Sequence, residues 1–293
     1  MAKKLRSPIR WFGGKGHMIN KLLPLIPSHK IYVEPFGGGA NLLIAKEPSS
    51  VEVYNDLDSG LVNFFRVLRD KEKFRRFYEQ VCLIPYSREE YYYCRETWEQ
   101  EEDDVMRAVK WFVVARQSFS GVFGQAWSFC VHKTTGKMSE TTSAWLGIIK
   151  MLPEINERLM QVQIEHDDFR NIIKRYDTED TFFYLDPPYV PTTRRSGGYA
   201  HEMSIEDHNE LVDVLLQING KAMLSGYDNE IYRQLEQNGW VKLTFDVVCH
   251  AAGKTRNSNL QGKGSAKKYQ KRTECVWLSP NCETIPKTQL ELL

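Results

Sequence analysis

A doubly wound α/β sheet, interrupted by a mostly helical block, is the fold this sequence predicts, and three observations predict it. Short apolar runs of strand length alternate with amphipathic helical segments at both ends of the chain. A glycine turn, Gly37-Gly38-Gly39, follows the first of those runs, as it does where a strand hands over to a helix and the backbone must approach a ligand closely. Over residues 71–160 the alternation stops, and the pattern turns helical and aromatic, with Trp98, Trp111, Trp127 and Trp145.

Residues 30–35 and 51–56 read as strands around a short helix at 41–46, and 58–69 reads as a helix after a polar start. Thr134-Thr135-Gly136-Lys137 predicts a hairpin within the central block. Strand-like runs resume at 162–165, 181–185, 221–225, 241–248 and 274–278, with helices at 169–176, 205–218 and 229–237. A mixed sheet assembled from both ends closes one domain, residues 1–70 and 161–293, with 71–160 as an inserted subdomain. No internal repeat or long Pro/Ser-rich linker interrupts the chain, so the insert is expected to pack on the sheet.

With 42% hydrophobic and 26% charged residues, the composition excludes disordered, collagen-like and disulfide-scaffold classes. The longest strictly apolar run, residues 111–115, has five residues, against the ~20 that span a bilayer. The basic start (Lys3, Lys4, Arg6, Arg10) leads into Pro8 and Gly13-Gly14 with no apolar segment, so no secretory signal is expected and the cytosol is the expected compartment. Cysteines 82, 94, 130, 249, 275 and 282 contain no close pair, and we expect reduced packing residues and no metal. His17, His132, His201 and His208 likewise lack ligand spacing.

Near-neutral net charge, 39 Lys+Arg against 38 Asp+Glu, conceals local asymmetry. Residues 1–33 carry seven Lys/Arg and no acid. Lys254, Arg256, Lys263, Lys267, Lys268, Lys271 and Arg272 form a second acid-free stretch, spaced by glycines. It reads either as a solvated loop or as a loop that tracks a nucleic-acid backbone. Residues 89–104, with eight acids and one Arg, read as a solvated face, because acids repel phosphate.

The sharpest motif is Asp186-Pro187-Pro188-Tyr189, directly after the apolar run Phe182-Phe183-Tyr184-Leu185. A buried strand would deliver the carboxylate to the crevice outside the strand ends. The two prolines stiffen the turn and remove two N–H donors. One carboxylate, one carbonyl and one aromatic face suit a planar base with an exocyclic amine. The second motif runs from Val33-Glu34-Pro35-Phe36 through the three glycines, and Asp56, about 20 residues on, stands where an acid can accept ribose hydroxyls. The third, Trp11-Phe12-Gly13-Gly14-Lys15-Gly16, has neither the spacing of a phosphate loop nor a preceding strand. A nicotinamide site is disfavoured, because positions 37, 39 and 42 are Gly, Gly and Leu.

In their order and spacing, Arg10-Trp11-Phe12-Gly13-Gly14-Lys15, Glu34-Pro35-Phe36-Gly37-Gly38-Gly39, Asp56, Asp168-Phe169 and Asp186-Pro187-Pro188-Tyr189 resemble the Dam-like (D12 class) DNA adenine-N6 methyltransferases. The resemblance covers the sheet domain, and residues 71–160 fall where that family carries its target-recognition region. It implies a Rossmann-like fold and S-adenosylmethionine as cofactor, with Trp11 and Lys15 beside it. It further implies Phe36, Gly37, Gly38 and Gly39 beneath the cofactor, Asp56 on its ribose, Asp168 and Phe169 at its adenine, and Asp186 in the same site. Tyr199 is expected to reach it from the loop after the catalytic turn. Double-stranded DNA is the implied substrate, for a monomer or weak dimer. Arg116 and the hairpin lysines Lys133 and Lys137 occupy the place expected of DNA contacts, without a pattern that fixes the target sequence.

Adenine N6 is a poor nucleophile because its lone pair is delocalised into the ring. Asp186 and the Pro187 carbonyl are expected to accept its two hydrogens and stabilise the charge that grows on nitrogen. A paired base must first be extruded, and Tyr189 is expected to stack on it. The loop that follows, residues 192–199, carries Arg194 and Arg195, expected phosphate contacts. Two alternatives stay open at this point: an N-methyltransferase acting on RNA adenine or another amine, and a nucleic-acid-binding relative that has lost catalysis.

Overall fold

The computed structural model describes residues 5–11, 13–193, 201–248 and 271–282. Its strands are β1 (Ile31–Glu34), β2 (Val51–Asn55), β3 (Thr134–Thr135), β4 (Met138–Ser139), β5 (Val162–Glu165), β6 (Thr181–Leu185), β7 (Lys221–Gly226), β8 (Val241–Val248) and β9 (Lys271–Leu278). Its helices are α1 (Ile19–Leu22), α2 (Asn41–Ala45), α3 (Ser59–Arg69), α4 (Lys71–Leu83), α5 (Arg88–Thr97), α6 (Asp104–Gln117), α7 (Glu140–Ile149), α8 (Leu152–Leu159), α9 (Phe169–Tyr176), α10 (Ile205–Leu215) and α11 (Arg233–Gln237). Among the described residues, seven strands form one sheet in the order β5-β2-β1-β6-β7-β9-β8. Neighbours from β5 to β7 are parallel, and β9 runs antiparallel to both β7 and β8. The chain winds outward in opposite directions from the β1–β6 pair, so the crevice opens outside the carboxyl ends of those two strands.

Strand alternation assigns the core. Tyr32, Phe182, Tyr184 and Met223 face one cluster, while Val33, Phe183, Leu185 and Leu224 face the other, with Phe169, Ile172, Leu211 and Val212 of α9 and α10. The first cluster continues without a break into the helical block, through Phe64, Trp111, Phe112 and Trp145. The block is therefore packed on the sheet. Phe64 of α3 stacks on Phe112 of α6 with ring centroids 5.4 Å apart. The polar start expected of the helix at 58–69 is a cap, Asp58 accepting the Leu61 N–H, and Asp70, Ser87, Asp103, Ser139, Asp168 and Ser204 cap their own helices in the same way.

Three expected boundaries move by three residues or more. α10 stops at Leu215 rather than 218, because Asp177 takes the N–H groups of Asn219 and Gly220 into a turn. α11 starts at Arg233 rather than 229, because the Asn229 side chain accepts the Tyr232 N–H and holds a turn there. β9 begins at Lys271 rather than 274, its extra residues pairing with β8. The hairpin is β3–β4, with Gly136 and Lys137 both at positive φ, the geometry a two-residue turn requires. Phe12, Arg194, Arg195, Tyr199, Cys249 and the basic residues 254–268 lie outside the described residues. Among the described residues no helix is long and apolar enough to cross a membrane.

A buried ion cluster ties the helical block to the sheet. Glu52 of β2 accepts from Lys46 at 2.5 Å and from Arg158 of α8 at 2.7 Å, and Arg158 also donates to the Leu43 carbonyl. Burial alone would raise the Glu52 pKa, but the hydrogen bonds from Arg158 and Lys46 outweigh it and hold the group below its ordinary value. Removing Arg158 leaves Glu52 with Lys46 alone and the Leu43 carbonyl without its donor from α8, in a buried setting where lost partners are costly. Arg158→Met is therefore expected to lower unfolding free energy by about 3 kcal/mol in urea titrations, and a loss below about 1 kcal/mol would mean the cluster contributes little.

Candidate active site

The cleft at the β1–β6 switch point encloses about 1110 Å³ including its open mouth. The glycine turn after β1 forms one wall, and its shape is set from β2. A Cβ on Gly37 would stand 2.2 Å from the Tyr54 ring, so only glycine fits there. The Gly37 N–H donates to the Asn55 carbonyl, and the Tyr54 hydroxyl donates to the Gly38 carbonyl at 2.8 Å. Gly38 has φ +47°, and its N–H donates to Asp56 Oδ2 at 2.9 Å. The other Asp56 oxygen accepts the Asp58 N–H. Burial pushes the Asp56 carboxyl up to about 6 against the pull of these bonds. Trp11 rests on the same turn and reaches Trp111 of the helical block at 5.7 Å between rings.

Asp186 lies at the end of β6, and Lys15 Nζ donates to its Oδ1 at 2.7 Å and to the Gly13 carbonyl at 3.1 Å. Burial raises the Asp186 pKa above its ordinary value, and the Lys15 charge and hydrogen bond oppose that rise without cancelling it. Glu34, on the neighbouring strand end, is buried and uses one oxygen to accept both the Tyr32 hydroxyl (2.7 Å) and the Leu43 N–H (2.9 Å). Burial pushes its carboxyl up to about 8, so it is largely protonated at neutral pH. At the far end of the cleft, Phe36 and Phe169 pack with ring centroids 5.2 Å apart. Asp168 caps α9 there, and Arg170 pairs with Asp168 at 2.9 Å and with Asp207 and Glu210 at 2.5 Å.

Residues 11–244 match the family model for D12 class N6 adenine-specific DNA methyltransferases. This chain belongs to that family. The methyltransferase is 27% identical to the Type II methyltransferase M1.LlaDCHI of Lactococcus lactis subsp. cremoris, over 89% of this chain and 92% of that protein. It is 20% identical to the DNA adenine methylase of Escherichia coli (strain K12), over 80% of this chain and 85% of the other. The DNA N-6-adenine-methyltransferase of Escherichia phage P1 is 26% identical over 72% of this chain, but only 28% of that longer protein. The chain is thus an adenine-specific DNA methyltransferase, and its family implies S-adenosylmethionine as methyl donor.

The methyltransferase brings Trp11, Lys15, Phe36, Gly37, Gly38, Gly39, Asp56, Asp168, Phe169 and Asp186 around one cleft. Tyr189 stands behind them, 7% exposed, and is not among the residues lining it. Arg116 is buried near the C-terminal end of α6, donating to the Ala144 carbonyl at 3.4 Å. Burial, then the charges of Arg10 and Arg6, lower its pKa to about 9. Lys133 is exposed and 3.7 Å from Glu140, and Lys137 is exposed at the hairpin turn. Glu34, Leu57, Arg170 and Met203 also line the cleft, and Asn55 supports it from beneath, although the sequence assigns none of them a role there. Asn55 bridges the Pro35 and Asp167 carbonyls, joining the two motifs that flank the cleft. Its signal was its place beside Asp56; Leu57 and Met203 carried none.

The raised Glu34 pKa has a linkage consequence. The folded state keeps the proton that the unfolded state loses near pH 4.5, so this contribution to stability is complete below that pH and is lost as pH rises through about 8. Glu34→Gln keeps the acceptor oxygen and cannot ionise. Its unfolding free energy is expected to decline less than the parent's between pH 5 and pH 8, by about 2–4 kcal/mol in denaturant titrations. Parallel profiles would show that Glu34 is ionised in the fold.

Proposed function

We propose that this cleft binds S-adenosylmethionine and that an adenine, extruded from double-stranded DNA, meets it at the Asp186-Pro187-Pro188-Tyr189 turn. The observation that carries the reading is the Asp186 carboxyl group, paired with Lys15 at the end of β6 and opening into the same cleft as the glycine turn of β1. The residues suit the cofactor: glycines whose Cβ positions are taken by Tyr54 and Trp11, apolar Phe36, Leu57 and Phe169, and the acids Asp56 and Asp168. Trp11, Lys15 and residues 36–39 would hold its methionine end, Asp56 its ribose, and Asp168 and Phe169 its adenine. When bound, the cofactor supplies an electrophilic methyl group.

The chain's own task is to make N6 nucleophilic. The Asp186 carboxylate and the Pro187 carbonyl each accept one N6 hydrogen, which localises the lone pair and stabilises the positive charge developing on nitrogen. Lys15 supports this by opposing, with its charge and its hydrogen bond, the rise that burial gives the Asp186 pKa. Tyr189 offers its ring to the extruded base, offsetting part of the few kcal/mol that unstacking costs. Residues 71–160 act as the target-recognition subdomain, on a catalytic domain of residues 1–70 and 161–293. Arg6 and Arg10, with Lys133 and Lys137 at the hairpin, supply positive charge for the DNA backbone, and Arg194 and Arg195 are assigned the same task; Arg116, expected to join them, is buried against the Ala144 carbonyl instead. The enzyme acts in the cytosol as a monomer or weak dimer.

Asp186→Ala is expected to lower kcat at least about 1,000-fold, the scale of a lost charge-stabilising group, while the Kd for duplex DNA stays within about threefold. Methyl transfer from labelled cofactor to competing DNA and RNA checks the substrate in the same assay, and activity of Asp186→Ala near the parent's would refute the assignment. Tyr189→Trp should retain stacking, whereas Tyr189→Ala should lose about 1–3 kcal/mol of it, read as weaker 2-aminopurine fluorescence at the target position. Equal fluorescence in both variants would remove Tyr189 from base binding.

A further inference from the structure

The family match ends at residue 244, yet a side chain from β9, beyond that limit, reaches the catalytic turn. Glu274 is 7% exposed, an acid at an inward position beside Cys275 and Val276, which are both fully buried. Its Oε2 accepts the Tyr189 hydroxyl at 2.6 Å. The Tyr189 ring meets Tyr227 edge-on, with centroids 4.6 Å apart and planes at 74°. The Tyr227 hydroxyl accepts from Arg272 at 3.0 Å. Arg272 and Glu274 are two apart on one strand, hence on one face of the sheet. That face thus holds Tyr189 directly and again through Tyr227. Lys15 Nζ, the partner of Asp186, stands 4.6 Å from the centre of the same ring.

A phenylalanine against an apolar side chain would fill this space without burying a hydroxyl and a carboxylate, both of which cost desolvation unless paired. What the polar pair adds is orientation. A tyrosine ring turns about two torsions, and a short hydrogen bond to a carboxylate on a sheet strand selects one setting of them. We propose that Glu274 is a positioning residue, accepting the Tyr189 hydroxyl so that the ring presents one plane to the extruded adenine and N6 meets Asp186 in register. This rests on the reading of Tyr189 as the stacking group.

Single-turnover methylation of a duplex carrying one target, with the enzyme in excess, tests it. Glu274→Ala and Tyr189→Phe each remove the same hydrogen bond, and each is expected to slow methyl transfer about 10- to 100-fold, the scale of a misplaced reacting group. The KM for S-adenosylmethionine and the Kd for DNA should stay within about threefold, a split that general loosening of the fold would not produce. Glu274→Gln keeps an acceptor oxygen and should rescue the rate to within about threefold of the parent. The double variant Tyr189→Phe/Glu274→Ala should be no slower than the slower single variant.

A parental rate in Glu274→Ala, multiplicative losses in the double variant, or a Glu274→Gln rate as low as that of Glu274→Ala would each overturn the proposal. If thermal melts show Glu274→Ala unfolded, Tyr189→Phe and Glu274→Gln decide, and a parental rate in Tyr189→Phe overturns it. Tyr189→Ala separates the two levels. A parental rate there removes the stacking reading itself, whereas a slow Tyr189→Ala beside a fast Tyr189→Phe leaves stacking intact and refutes the role of Glu274.

Discussion

Desolvating a carboxylate at the end of a buried strand is unfavourable, and the pairing of Lys15 with Asp186 is what opposes that cost. The two residues are 171 positions apart, so the pair forms only when the N-terminal segment folds across the ends of β1 and β6. The same segment brings Trp11 onto the glycine turn and Gly13 to the lysine. The pairing of Asp186, the wall of the cleft and the docking of the N-terminal segment are therefore one event.

The glycine turn shows the same economy from the other side. Gly37 must lack a side chain because Tyr54 of the neighbouring strand occupies that space, and Tyr54 then holds the Gly38 carbonyl. Asp56, on the next residue but one, takes the Gly38 N–H. Adjacent strands thus shape the loop that approaches the ligand. The helical block is joined to this arrangement by Trp111 against Trp11 and by Arg158 on Glu52, through a core that does not break between them. The helical block and the sheet thus share one packed core.

Much of this was legible in the sequence, and the reasons are local. The strands β1, β2, β5, β6, β7 and β8 lie within a residue or two of where the strand-like runs put them, β6 as the near-continuous apolar run of a buried parallel strand and the edge strands β5 and β8 as alternating apolar and polar residues. Asp186, Asp56 and the three glycines could be picked out because each sits at a strand end whose position the run already gave. What stayed hidden depends on partners far away in the chain. Nothing in Val33-Glu34-Pro35 says that Glu34 carries a proton, since Tyr32 and Leu43 share one of its oxygens inside a closed core. Arg170 looks like an ordinary helix arginine until α10 brings Asp207 and Glu210 to it. Tyr189 reads as an open aromatic, and only the pairing of β9 with β7 puts Glu274 behind it. The ends of α10 and α11 moved because the side chains of Asp177 and Asn229 competed for backbone groups.

The most direct test is a crystal structure of the enzyme with a non-transferable S-adenosylmethionine analogue and a duplex containing its target adenine. The account predicts the adenine outside the helix, its N6 within hydrogen-bond distance of Asp186 Oδ and the Pro187 carbonyl oxygen, and the analogue against the glycine turn. A target base still paired in the duplex, or one extruded to a surface away from Asp186 while the analogue fills the cleft, would contradict it.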